Sequence, residues 1–208
     1  MTKLTIFQVM DLAPVIPVLT IERIEDAVPL AKALVDGGLP ALEITLRTNV
    51  ALAAIKAIAD AVPDAVPGVG TVTTPEDLSQ ARAAGARFAV SPGFAPDLVQ
   101  AADQMPFLPG VATASEAMAA QRAGLQYLKF FPAEAMGGRP TLQALAGPFP
   151  RLTFCPTGGI GRDNAADYLA LKNVRCVGGS WIAPNEAIAA GQWETITGLA
   201  REAAALRE

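Results

Sequence analysis

Lys129 stands in the run Tyr127-Leu128-Lys129-Phe130-Phe131, a cationic side chain among aromatic neighbours. A neutral amine attacks a ketone to give an imine, and desolvation is the general means by which a lysine is brought to that neutral form. A lysine chosen at random is a solvated or snorkelling surface residue. Three features set Lys129 apart: its aromatic flanks, an alternation that puts it opposite Leu128 and Phe130, and a chain that contains no histidine. Without histidine, Ser-His-Asp and Cys-His mechanisms and histidine-ligated metal sites are excluded, and acid/base work falls to Glu, Asp, Lys or Tyr. Neither a metal nor a cofactor is expected.

In Leu42-Glu43-Ile44-Thr45-Leu46-Arg47 the apolar residues share one side of an extended chain, and Glu43, Thr45 and Arg47 share the other. Glu43 suits a general acid/base, because imine chemistry moves protons repeatedly at the same few atoms. The competing reading is a structural ion pair with Arg47, although two charges in an interior are costly without a functional reason. Arg47 carries a planar fork suited to a carboxylate. Thr157-Gly158-Gly159-Ile160 and Gly178-Gly179-Ser180 are two glycine pairs at consecutive predicted strand ends. One such pair is ordinary turn chemistry, but two at these positions predict a phosphate held by backbone N–H groups. Thr71, and Pro92 with Gly93, either line the same pocket or simply make turns. Trp181 and Trp193 read as packing or subunit-contact residues.

These residues need elements to position them. Short β-branched runs alternate with Ala-rich stretches of helical period. Strands are expected at 14–19, 41–47, 66–72, 88–91, 107–112, 127–131, 152–157 and 174–178. Helices are expected at 24–35, 50–61, 75–83, 96–102, 114–122, 141–146 and 163–171, with a longer one after Pro184 and a short one at 3–11. Strand-helix alternation without reversal predicts parallel strands in an α/β fold, specifically a single (β/α)8 TIM barrel domain spanning residues 1–208. In that fold Lys129, Glu43 and Arg47 face the lumen, and the glycine pairs lie at the strands' C-terminal ends. No G-x-G-x-x-G follows the first strand, which disfavours a dinucleotide-binding sheet.

Composition removes other classes. Only 17% of the 208 residues are charged and the net charge is −4, with no basic stripe for nucleic acid. No apolar run reaches the length of a membrane span, and the first ten residues do not read as a secretory signal, so a cytoplasmic protein is expected. Cys155 and Cys176 are expected to be buried thiols.

Taken in order and spacing, several segments resemble the 2-keto-3-deoxy-6-phosphogluconate (KDPG) aldolase family of the Entner–Doudoroff pathway. They are Leu42–Thr48, Gly68–Val72, Ser91-Pro92-Gly93, Lys129–Glu134, Phe154–Ile160 and Gly178–Trp181, and they span essentially the whole chain. The resemblance implies a class I aldolase, a carbon-carbon lyase that splits KDPG into pyruvate and glyceraldehyde 3-phosphate. It implies Lys129 as the Schiff-base lysine and Glu43 as acid/base. Arg47, Thr71 and Pro92 become pyruvate-side contacts, with Phe131 and Thr157 also lining the substrate site. Gly158, Gly159, Gly179 and Ser180 become phosphate contacts, and the assembly a homotrimer. Sister enzymes acting on 2-keto-4-hydroxyglutarate (KHG) or on the galactonate isomer share several of these motifs. A non-lyase phosphosugar-binding barrel is the rival from another class, and it predicts no covalent adduct with pyruvate.

Overall fold

In the computed structural model, which describes residues 4–103 and 105–207, strands and helices alternate as the apolar periodicity requires. Helix α1 (Ile6–Asp11) precedes β1 (Val15–Leu19). Then come α2 (Ile24–Asp36), β2 (Ala41–Thr45), α3 (Ala51–Ala61), β3 (Val66–Gly70), α4 (Pro75–Ala83), β4 (Phe88–Val90) and α5 (Pro96–Ala102). The second half runs β5 (Phe107–Leu108), β6 (Gly110–Val111), α6 (Ala114–Arg122), β7 (Tyr127–Phe130), α7 (Gly138–Ala146), β8 (Thr153–Pro156), α8 (Ala165–Leu169), β9 (Val177–Gly179), α9 (Asn185–Ala189) and α10 (Trp193–Ala204).

Helix starts are written locally. Thr5 with Gln8, Thr74 with Asp77 and Thr113 with Glu116 form reciprocal capping boxes on α1, α4 and α6, each cap worth roughly 1 kcal/mol. Burial works against ionisation of Asp77 and Glu116, yet hydrogen bonds from Thr73 and Thr74, and from Ala112 and Thr113, win and hold both carboxyls below their ordinary range. The expected single helix after Pro184 is two, α9 and α10, interrupted at Gly191 with φ +64°. The expected helix at 3–11 begins at Ile6 after its Thr5 cap, and Lys3 lies outside the described residues.

All strand pairs are parallel. Hydrogen bonding orders them β5-β4-β3-β2-β1-β9 in one sheet and β6-β7-β8 in another. Single parallel bridges, Phe154 with Val174 and Thr157 with Gly178, join β8 to the segment of β9. The expected strand at 107–112 is split into β5 and β6 at Pro109, which has no N–H to donate. Its carbonyl still accepts from the Lys129 N–H at 2.9 Å. The ladders therefore form two parallel arcs in an α/β fold.

Alternate strand residues divide the core into two layers. Leu42, Ile44, Leu128, Phe130 and Phe154 pack outward on helix residues such as Leu30, Leu34 and Ile55. Ile16, Ala41, Val66, Phe88, Leu108, Cys155 and Cys176 turn inward, where Val9 and Met10 of α1 join them. Most of this inner cluster belongs to the N-terminal halves of the strands, so α1 plugs that end and leaves the C-terminal ends for the site. The two cysteines are buried free thiols, as expected. Burial, then the hydrogen bond with Cys155, pushes the Cys176 thiol up.

Met10 is fully buried in this plug. Met10→Ala is expected to lower unfolding free energy by about 2–5 kcal/mol through lost burial and an unfilled cavity, measured by urea denaturation. A loss below about 1 kcal/mol would mean that α1 does not pack as a plug.

Candidate active site

Glu43 is the middle residue of β2, flanked by outward Leu42 and Ile44, and the pleat turns its carboxylate inward. Lys129 is the third residue of β7, between outward Leu128 and Phe130, in register with Gly110 and Cys155. The two strands belong to different sheets, so the side chains meet across the interior. Lys129 Nζ donates to Glu43 Oε1 at 3.2 Å, and the side chains are only 7% and 4% exposed. The Phe131 ring lies with its centroid 5.1 Å from Nζ, close enough for a cation–π contact.

Glycines in the neighbouring strands make the room. A Cβ on Gly70 would lie 2.4 Å from Glu43 Oε1, and one on Gly110 would lie 2.2 Å from the Pro92 carbonyl oxygen. Any side chain at position 70 would displace the carboxylate from the lysine.

Arg47 departs from the expectation of an inward strand residue. The strand ends at Thr45, and Arg47 is exposed in the following turn. Two hydroxyls hold that turn: Thr45 Oγ1 donates to the Leu19 carbonyl at 2.9 Å and Thr48 Oγ1 to that of Ile21 at 2.7 Å. The ion pair between Glu43 and Arg47 is absent, because Glu43 is paired with Lys129.

A cleft of about 590 Å³, a size typical of small-molecule sites, opens at the C-terminal ends of the strands. It brings together Arg47, Phe131, Thr157, Gly158, Gly159, Gly179 and Ser180 from the sequence-derived set. Phe131 connects it to Lys129 below. Thr71 and Pro92 are half-buried and stand outside its lining. Ile160 of the first glycine run lines it too, as do Thr20, Trp181, Asn185 and Glu186, which sequence reading did not assign to a site. Thr20 had a legible signal, a polar residue immediately after the apolar run of β1. Trp181, read as a packing residue, does pack on Gly179 but also faces the cleft. Among the described residues no group of three or more His, Cys, Asp or Glu could hold a metal ion.

The family model for KDPG and KHG aldolase matches residues 6–199. The chain belongs to the KDPG and KHG aldolase family. It is 54% identical over 200 residues to the 2-dehydro-3-deoxy-phosphogluconate aldolase of Dickeya dadantii, covering 95% of this chain and 94% of that one. Its structure matches KDPG aldolase from Legionella pneumophila, captured with pyruvate as a covalent carbinolamine, at a TM-score of 0.95 and 48% identity, over 98% of this chain and 100% of that one. It also matches the 2-keto-3-deoxy-6-phosphogluconate aldolase of Zymomonas mobilis with 3-phosphoglycerate, at a TM-score of 0.91 and 50% identity, over 97% and 95%.

One backbone feature marks the site of this family member further. Thr71, directly after Gly70, has φ +64°, a conformation that a β-branched residue rarely adopts. Such strain collects at functional sites and is held there by surrounding structure. Relief of the strain should outweigh the added chain entropy, so Thr71→Gly is expected to stabilise the fold by about 1 kcal/mol in denaturant titration. A destabilisation of that size would show that contacts of the threonine side chain outweigh its backbone strain.

Proposed function

We propose that this chain is a class I aldolase that cleaves KDPG to pyruvate and glyceraldehyde 3-phosphate through a Schiff base on Lys129. The observation that carries this reading is the buried Lys129–Glu43 pair, 3.2 Å apart, beneath a cleft rimmed by the glycine loop after β8 and the glycine end of β9. The pyruvate carbinolamine in the Legionella relative supports imine chemistry in a near-identical fold. The 3-phosphoglycerate in the Zymomonas relative supports a phosphorylated three-carbon group as a ligand.

The reaction requires an amine nucleophile and one group that moves protons both ways. Glu43 takes a proton from the lysine, and Lys129 Nζ attacks the C2 ketone. Glu43 returns that proton to the carbinolamine oxygen, takes one from the nitrogen and delivers it to the resulting hydroxyl, which leaves as water and gives the iminium. Glu43, directly or through a water molecule, next removes the C4 hydroxyl proton. The C3–C4 bond breaks, its electrons flow into the iminium as an enamine, and glyceraldehyde 3-phosphate departs. Protonation at C3 and hydrolysis release pyruvate and restore the amine. Arg47 at the cleft wall is suited to the substrate carboxylate, and Gly158, Gly159, Gly179 and Ser180 to the phosphate. Thr71 and Pro92 would support the pyruvate end as neighbours of Gly70 and Gly110, with Phe131 and Thr157 walling the channel between the ends.

The single bridges between β8 and β9, and the continuation of β5 into β6 across Pro109, support a closed (β/α)8 barrel built as one domain from the whole chain. A cytoplasmic homotrimer is the corresponding setting. No helix among the described residues is long and apolar enough to cross a membrane. A second reading, cleavage of KHG, draws on the family's twofold description, but that substrate has no phosphate for the glycine loops.

Borohydride with pyruvate is expected to inactivate the protein and leave a reduced pyruvyl group on Lys129, located by peptide mass mapping. Attachment to Lys32, Lys56 or Lys172 would refute the assignment, and Lys129→Ala should abolish cleavage. Activity is also expected to survive prolonged chelation, since the iminium serves as the electron sink. Loss in EDTA that a divalent metal reverses would point to metal-dependent chemistry.

A further inference from the structure

The loop after β8 has its three carbonyls spoken for. The Thr157 carbonyl accepts from the Ala133 N–H at 2.8 Å, and the Gly158 carbonyl accepts from the Glu134 N–H at 3.1 Å. The Gly159 carbonyl accepts from Asn164 Nδ2 at 3.1 Å. The orientation of the Asn164 amide is decided by its other end, where Oδ1 accepts from the Gly161 N–H at 2.9 Å. Reversed, it would set donor against donor and acceptor against acceptor.

In a trans peptide the C=O and the following N–H point in opposite directions. Fixing the carbonyls of residues 157, 158 and 159 therefore fixes the N–H groups of Gly158, Gly159 and Ile160. The carbonyl partners Ala133, Glu134 and Asn164 lie outside the cleft lining, whereas Gly158, Gly159 and Ile160 belong to it. The Gly158 N–H faces the Gly178 carbonyl across the parallel bridge of Thr157 with Gly178, whereas the N–H groups of Gly159 and Ile160 donate to no protein acceptor among the described residues.

We propose that Glu134 and Asn164 are positioning residues that hold the Gly158 and Gly159 carbonyls away from the cleft and so aim the next two backbone N–H groups, those of Gly159 and Ile160, at the phosphate of the substrate. This rests on the phosphate reading above and adds the groups that create the site rather than touch the ligand. The Glu134 side chain is braced for the task. It lies against Gly159, where a Cβ would fall 2.6 Å from Glu134 Cγ, so position 159 admits no side chain, and its backbone there has φ +76°. The Tyr168 hydroxyl donates to its carboxylate. Burial, then this bond to Glu134, pushes the Tyr168 phenol up and so favours its protonated, donating form. Asn164, the N-cap, and Tyr168, the fourth residue, thus tie the loop to the start and the far end of α8 (Ala165–Leu169).

The test compares KDPG with its unphosphorylated counterpart, 2-keto-3-deoxygluconate, in wild type, Asn164→Ala and Tyr168→Phe, with inorganic phosphate as a competitive inhibitor. Asn164→Ala is expected to lower kcat/KM for KDPG by about tenfold and weaken phosphate inhibition to match, while kcat/KM for the unphosphorylated acid changes less than about twofold. Tyr168→Phe, which retains the ring that packs in the core, should shift the same ratio by about threefold and decides the matter if Asn164→Ala does not fold. A merely structural role would lower both substrates together, and that result overturns the proposal. An unchanged ratio in folded variants of an enzyme that does prefer KDPG overturns it as well, leaving the phosphate reading intact. If wild type handled both substrates equally, the phosphate reading itself would fall, and this inference with it.

Discussion

A lysine and a glutamate held 3.2 Å apart in the interior constrain nearly everything around them. Two charges removed from water cost several kcal/mol each, and only close mutual contact offsets that loss, so neither partner can be displaced far without the other becoming an orphan. The pair spans strands of different sheets, and its geometry is therefore a property of how the two arcs sit against each other. The small residues nearby follow from the same constraint. Gly70 leaves space for the carboxylate and Gly110 lets the Pro92 carbonyl approach. Each position trades strand propensity for volume, which a strand interior otherwise avoids.

The layered core explains why that trade is tolerable. Below the pair, Phe88, Leu108, Met10 and the two cysteines fill the interior with apolar volume. Outside it, leucines, isoleucines and Phe130 bind the strands to the helices. Stability resides in those two layers, and the middle of the interior is free to carry polar groups. Helix α1 matters here because an unplugged end would admit water beneath Lys129 and dilute the electrostatic coupling of the pair.

Much of this was legible in the sequence, for identifiable reasons. Strict alternation in Leu42-Glu43-Ile44 and Leu128-Lys129-Phe130 sorts inward from outward residues because the strand period is two, and both inward charges were found that way. Two of the three helices opened by a threonine capping box were bounded well: α4 and α6 begin where Thr74 and Thr113 place them, whereas α1 starts at Ile6 after Thr5 and not at residue 3. Strand ends were not. Alternation in Ala41–Arg47 continues past Thr45, but the chain turns there because the hydroxyls of Thr45 and Thr48 bond to carbonyls of the preceding strand segment. That contact, distant in sequence, carries Arg47 from the lumen to the cleft wall. Thr71 escaped notice as a strained residue because composition does not reveal a positive φ at threonine, whereas glycines advertise theirs. The carbonyl-holding roles of Asn164 and Glu134 are invisible for a similar reason, being set by the approach of three separate segments.

The site's two ends are built on different principles, and the difference suits an enzyme that spends binding energy remotely from the reacting bond. The amine and carboxylate sit within strands, where the pleat and packing on both faces fix them closely, as bond-making chemistry demands. Gly158 and Gly159 sit in the loop after β8, whose conformation comes from hydrogen bonds to the segment after β7 and to Asn164 at the start of α8, whereas Gly178 and Gly179 end β9. Backbone N–H groups bind an oxyanion without side-chain entropy to lose, but they must be aimed by whatever holds the carbonyls on the other side of each peptide. On the aldolase reading, a phosphate anchored there holds C3 and C4 over Lys129, so that its binding energy is expressed as orientation at the breaking bond. Mounting the loop after β8 on α8 and the segment after β7 separates the two tasks, so that the N–H groups of that loop are aimed by contacts that leave the lysine and glutamate where the interior holds them.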